Sequence, residues 1–65
     1  MYNSELIKLV LSSVAGIKVI VFNEKLVIEH DIEKWDMITT LADRLGFVCN
    51  RWMSNQQPRT TIFLT

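Results

Sequence analysis

The sequence predicts an α+β fold, one small domain spanning residues 1–65, in the order helix, hairpin, helix, hairpin. Two helices are expected to pack on a four-stranded, mainly antiparallel sheet. Three observations carry this expectation. Residues 3–15 and 31–47 space their apolar side chains by three and four and meet Gly16 and Gly46 at their ends. Residues 17–30 and 47–65 are β-rich runs interrupted by short polar turns. Finally, 65 residues hold one core, and no linker, charge run or low-complexity segment divides them.

Asn3 or Ser4 can cap the first helix, which is expected to run to about Ala15. Its apolar residues Leu6, Ile7, Leu9, Val10, Leu11 and Val14 leave only a narrow polar stripe of Glu5, Lys8 and Ser12, so it needs cover on most sides. Gly16 ends it in a left-handed conformation. The runs 17–22 and 25–30 are then separated only by Asn23-Glu24, which predicts a tight hairpin. A two-residue loop sets Phe22 against Lys25, Ile20 against Val27, Lys18 against Glu29 and Ile17 against His30. Alternation places Ile17, Val19, Val21, Leu26, Ile28 and His30 on one face and Lys18, Ile20, Phe22, Lys25, Val27 and Glu29 on the other. A three-residue loop would oppose Val19 and Glu29 and mix the faces.

Asp31 is placed to cap the second helix with its carboxylate, and Glu33 and Asp36 suit the positive end of the helix dipole. Trp35, Ile38, Leu41, Ala42 and Leu45 form its apolar face, while Glu33, Asp36, Thr40, Asp43 and Arg44 fall elsewhere. Gly46 stops it, with Phe47 packing back on the last turn. For the final strand pair, a four-residue loop from Asn55 to Pro58 groups Phe47, Cys49, Met53, Ile62 and Leu64 on one face and Val48, Asn50, Trp52 and Phe63 on the other. A three-residue loop would regroup them. The preferred grouping requires Arg51 to reach solvent along its stem. Gly16 and Gly46 hold equivalent places in two similar halves, whether by duplication or by two similar units reached independently.

Lys plus Arg and Asp plus Glu are 7 each, so no net field draws the chain to nucleic acid or an anionic membrane. A hydrophobic content of 49% is high for so small a domain, and the surplus points to an apolar partner surface. The lone Cys49 cannot form an intramolecular disulfide, which favours a reducing, cytoplasmic setting. Met1-Tyr2-Asn3-Ser4 lacks the basic region of a secretory signal, and no apolar run approaches the roughly 18 residues that span a bilayer. No membrane association is expected.

Catalytic, metal-binding and cofactor-binding residues are not expected, and the chain reads as a non-enzyme. Cys49 and His30 are the sole thiol and imidazole, with Cys49 in an apolar strand and His30 at a solvent edge before a helix cap. Zinc wants three or four closely spaced Cys or His ligands. Glu29, Asp31, Glu33 and Asp36 gather where a helix dipole favours carboxylates, and two glycines make no phosphate loop. What remains is the final hairpin, where Asn50, Arg51, Trp52, Asn55, Gln56, Gln57 and Arg59 combine cations, a ring and amides. Such a mixture suits a protein interface or single-stranded nucleic acid.

Val27-Ile28-Glu29 leading into the second helix, Leu41-Ala42-Asp43-Arg44-Leu45-Gly46-Phe47 closing it, and Pro58-Arg59 before a β-rich end together resemble the domain named for its Arg-x-x-x-His motif. The likeness runs from Val27 to Leu64 and implies an α+β fold and binding of single-stranded nucleic acid. The positions of the defining Arg and His hold Trp35 and Thr39, so the basic pair does not carry over. The expected function is therefore that of a small interaction protein, a regulator or inhibitor that binds protein. Single-stranded nucleic-acid binding by the final hairpin is the alternative. Ile20, Phe22, Val27, Arg51, Trp52, Arg59 and Phe63 are the candidate binding surface, most simply a homodimer interface with an apolar middle and a charged rim. Were the helices instead to lie on opposite sides of the sheet, both sheet faces would be core.

Overall fold

A computed structural model describes residues 3–65; Met1 and Tyr2, part of the stretch read above for a secretory signal, lie outside them. Helix α1 (Asn3–Ser12) is followed by strands β1 (Lys18–Val21) and β2 (Lys25–Glu29). A 3₁₀ turn (Ile32–Lys34) then leads into α2 (Trp35–Arg44), β3 (Val48–Ser54) and β4 (Gln57–Phe63). The four strands form one antiparallel sheet in the order β1-β2-β4-β3. The expected α+β architecture is thus observed. Each half is a helix followed by a hairpin, and the halves join where β2 pairs with β4, Leu26 opposite Ile62 and Ile28 opposite Thr60.

Both helices lie on one side of this sheet. Ile7 and Leu11 of α1 and Ile38 and Ala42 of α2 are fully buried in one cluster with Leu26, Ile28 and Ile62, whose side chains share a sheet face. Trp35, Leu41 and Leu45 flank the α2 contribution, half-buried, and Thr40 is exposed, so the apolar face of α2 is as the sequence predicts. Only one stripe of α1 is covered. Leu9 stays exposed, because a helix laid over a sheet buries the side it turns to the strands and no element among the described residues caps its outer side.

Four local expectations are corrected. Helix α1 ends at Ser12, before the expected Ala15. The hydroxyls of Ser12 and Ser13 donate to the Lys8 and Val10 carbonyls at 2.7 Å, taking acceptors that further helical turns would use. Neither Asn3 nor Ser4 stands before the helix as a cap. Both lie within it, and the Asn3 amide donates to the Leu45 carbonyl at the end of α2 instead. Asp31 precedes the 3₁₀ turn with no side-chain capping bond; its carbonyl accepts from Lys34 N–H, and Lys34 stands at the start of α2. Finally, the β3–β4 loop has two residues, not four.

Asn55 and Gln56 form that loop at φ 52° and 65°, the paired left-handed conformation whose twist suits a tight hairpin, and Ser54 faces Gln57. Pro58 therefore lies inside a central strand. It is tolerated because its carbonyl accepts from His30 N–H, so its missing N–H faces the same side, just past the last β2–β4 pair, Glu29 with Arg59. Shortening the loop by two residues preserves alternation, so the expected grouping of Cys49 with Ile62, apart from Val48, Asn50, Trp52 and Phe63, stands with shifted partners. The first hairpin has the expected register, Lys18 opposite Glu29 and Ile20 opposite Val27.

The stop at Gly46 is a paired C-terminal motif. Gly46 N–H donates to Asp43 O at 3.0 Å and Phe47 N–H to Ala42 O at 2.9 Å, with Gly46 at φ +85°. A methyl group there would meet nothing within 4 Å, so Gly46→Ala tests the backbone alone. Its expected cost is about 1–2 kcal/mol, the left-handed penalty of a non-glycine residue, read as a lower urea midpoint at unchanged slope.

Candidate functional site

The sheet face turned away from the helices has no covering element among the described residues. Alternation and register set its side chains in rows across β1, β2, β4 and β3. One row is Lys18, Glu29, Arg59 and Trp52; the next is Ile20, Val27, Thr61 and Asn50; the third is Phe22, Lys25, Phe63 and Val48. Apolar side chains make up half of the second row and three of the four residues in the third, whereas a helix-free face normally alternates to polar residues. Val48 is 70% exposed, Phe22 47% and Trp52 38%, so large apolar surface meets water. Thr61, by contrast, is only 9% exposed, because Trp52 lies across the face with its Nε1–H donating to Thr61 Oγ1 at 2.8 Å. That bond ties the ring to the neighbouring strand.

Charge on this face is unbalanced, with Lys18, Lys25 and Arg59 against Glu29. Arg59 Nη2 lies 3.3 Å from Glu29 Oε2, and the Arg59 guanidinium carbon lies 5.2 Å from the centre of the Trp52 ring. Lys25 Nζ similarly stands 5.5 Å from the centre of Phe22. The Glu29–Arg59 pair is incomplete. Arg59 Nε–H is buried and has no acceptor among the described residues, a cost of about 1–3 kcal/mol for an unpaired buried donor.

Six of the seven candidate residues, Ile20, Phe22, Val27, Trp52, Arg59 and Phe63, are brought together here. Arg51 is not. It pairs with Thr60 on the opposite face, where its Nη2 donates to Asp36 Oδ1 at 2.9 Å and Thr39 Oγ1 at 3.0 Å, and its guanidinium carbon lies 5.8 Å from the Trp35 ring centre. Neighbours on a strand point to opposite faces, so Arg51 cannot join Trp52. The candidate surface read from the sequence leaves out Thr61, which the pairing of β4 with β2 and β3 brings into the patch, and Val48, although alternation groups Val48 with Trp52 and Phe63.

His30 is also corrected, from solvent edge to core. It is 2% exposed, with Nδ1 donating to Asp31 O at 2.8 Å, Nε2 at 2.8 Å from Thr60 Oγ1, and the Trp35 ring edge-on at 5.8 Å. Trp35 is itself tied to Arg59 O through Nε1–H at 3.1 Å. Cys49 stands level with Ile62 and Leu26, whereas His30 bonds Pro58, four residues further along β4, so thiol and imidazole do not meet. Burial pushes the Cys49 thiol above its ordinary pKa; nearby Arg51 acts the other way, and Asp43 adds to the rise. Glu29 and Asp36 are each engaged by an arginine, and the described residues contain no group of three metal-ligating side chains. No helix among them is long and apolar enough to cross a membrane.

No family model matches the chain, and neither the curated proteins nor the solved structures compared with it give a match. The likeness to the Arg-x-x-x-His domain rests on the residues quoted above. Trp35 and Thr39, at its motif positions, contact Arg51 on the helix side, away from the open face.

Proposed function

We propose that this chain acts by binding, as a small cytoplasmic regulator or inhibitor of the non-catalytic kind, and that the open sheet face docks on protein. The observation that carries the reading is the patch of Ile20, Phe22, Val27, Val48, Trp52 and Phe63, which no element among the described residues covers although the helices had a choice of two faces. Trp and Arg are the usual anchors of protein interfaces, and here Trp52 is held by its hydrogen bond to Thr61 with the Arg59 guanidinium over its ring before any partner arrives. A fixed ring loses little side-chain entropy on docking.

A second reading is favoured by one observation, the excess of cations beside exposed rings. Lys18, Lys25 and Arg59 with Phe22 and Trp52 could meet the phosphates and bases of a single strand. Titrating short single-stranded RNA and DNA at low salt, followed by Trp fluorescence, separates the two. No saturable binding is expected. Binding that weakens steeply with salt and is lost in Arg59→Ala would replace the protein reading with the nucleic-acid one.

A further inference from the structure

From the register of the open face we infer that its partner is a second copy of this chain, related by a two-fold axis that runs parallel to the strands between β2 and β4. This rests on the protein-binding reading above and adds the occupant and the geometry. A two-fold axis in that place reverses the strand order and keeps each row opposite itself. Lys18 then faces Trp52 of the other copy, Glu29 faces Arg59, Val27 faces Thr61, Ile20 faces Asn50, Lys25 faces Phe63 and Phe22 faces Val48. No like charges meet, and each cation meets a ring or a carboxylate.

The Glu29–Arg59 ion pair gives a second reason. Glu29 and Arg59 lie on the two central strands, either side of the axis, so both pairs come together into a four-charge cluster. Each side chain keeps about a quarter of its surface exposed (26% and 24%), and the second copy sets a carboxylate opposite the exposed part of Arg59 and a guanidinium opposite that of Glu29. Area sets the strength. With strands about 4.8 Å apart and about 3.4 Å per residue, the face measures roughly 20 by 17 Å, so two faces held with their strands aligned by the axis cover roughly 700 Å² in projection. That is below the roughly 1,000 Å² of a stable interface, so a weak, concentration-dependent dimer is expected.

The test is light scattering with two charge reversals, Glu29→Arg and Arg59→Glu. Wild type is expected to reach twice its 7.6 kDa monomer mass as concentration rises. Each variant alone sets like charges across the axis, so its dimerisation should weaken by about tenfold or more. An equimolar mixture should recover the dimer, because the two substituted side chains then oppose each other with unlike charge, and the native Arg59 of one variant meets the native Glu29 of the other. Loss of the internal ion pair cannot produce that recovery, since both variants lack it. A wild-type chain that remains monomeric at millimolar concentration overturns the proposal, as does a mixture that fails to recover. An Arg59→Glu variant that still dimerises alone overturns this axis. Should a reversal fail to fold, Asn50→Lys replaces it: that exposed residue faces Ile20 of the second copy, and an unchanged dimer contradicts the geometry. If wild type is monomeric yet still retains a foreign protein that Trp52→Glu releases, the second copy is excluded and the protein-binding reading stands.

Discussion

Ile38→Ala is expected to leave the domain largely unfolded at room temperature. Ile38 is fully buried where α2 meets Leu26, Ile28 and Ile62, and both helices contribute to the same cluster, so the cavity has no loose neighbour to fill it. Truncations of this kind cost about 2–5 kcal/mol, against about 3–5 kcal/mol of total stability for a core of this size. A thermal melt followed by circular dichroism should lose its cooperative transition or move it far down. Thr40→Ala, on the exposed side of the same helix, should leave the melt nearly unchanged. Equal tolerance of the two would show that α2 turns another side to the sheet.

His30→Ala is expected to be nearly as damaging, for a different reason. The imidazole joins β2 to β4 through Thr60, holds the Asp31 carbonyl at the entry to the 3₁₀ turn, and packs edge-on against Trp35. Removing it leaves a cavity and a buried Thr60 hydroxyl without its partner, together about 2–4 kcal/mol. His30→Phe restores much of the volume but neither hydrogen bond. Its urea midpoint should fall between those of wild type and His30→Ala, whereas two wild-type midpoints would make His30 a surface residue after all.

How much of this was legible in the sequence followed how local each determinant is. The Asn23-Glu24 hairpin and its register could be read because the turn joins adjacent residues, and the Gly46 stop because helix termination is settled within one turn. The pairing of β2 with β4 could not. Leu26 and Ile62 stand far apart in sequence, and nothing near either names the other. That missing contact also hid the environment of His30, whose strand alternation already grouped it with Leu26 and Ile28 while its place before Asp31 suggested an edge. Pro58 misled the reading of the last loop, since a proline argues against a central strand unless the ladder ends beside it. Arg51 was grouped with Trp52 and Arg59 by composition, although alternation places it across the sheet.

Whether the helix-free face is a binding surface is tested most directly by Phe22→Glu, read at once by a thermal melt and by light scattering. Phe22 lies at the end of that face, 47% exposed, and the core cluster does not include it. The expected result is a folded chain with an essentially unchanged melt, whose association is abolished. An unfolded variant would mean that Phe22 belongs to a core, and a folded variant that associates as wild type does would remove this face from any role in binding.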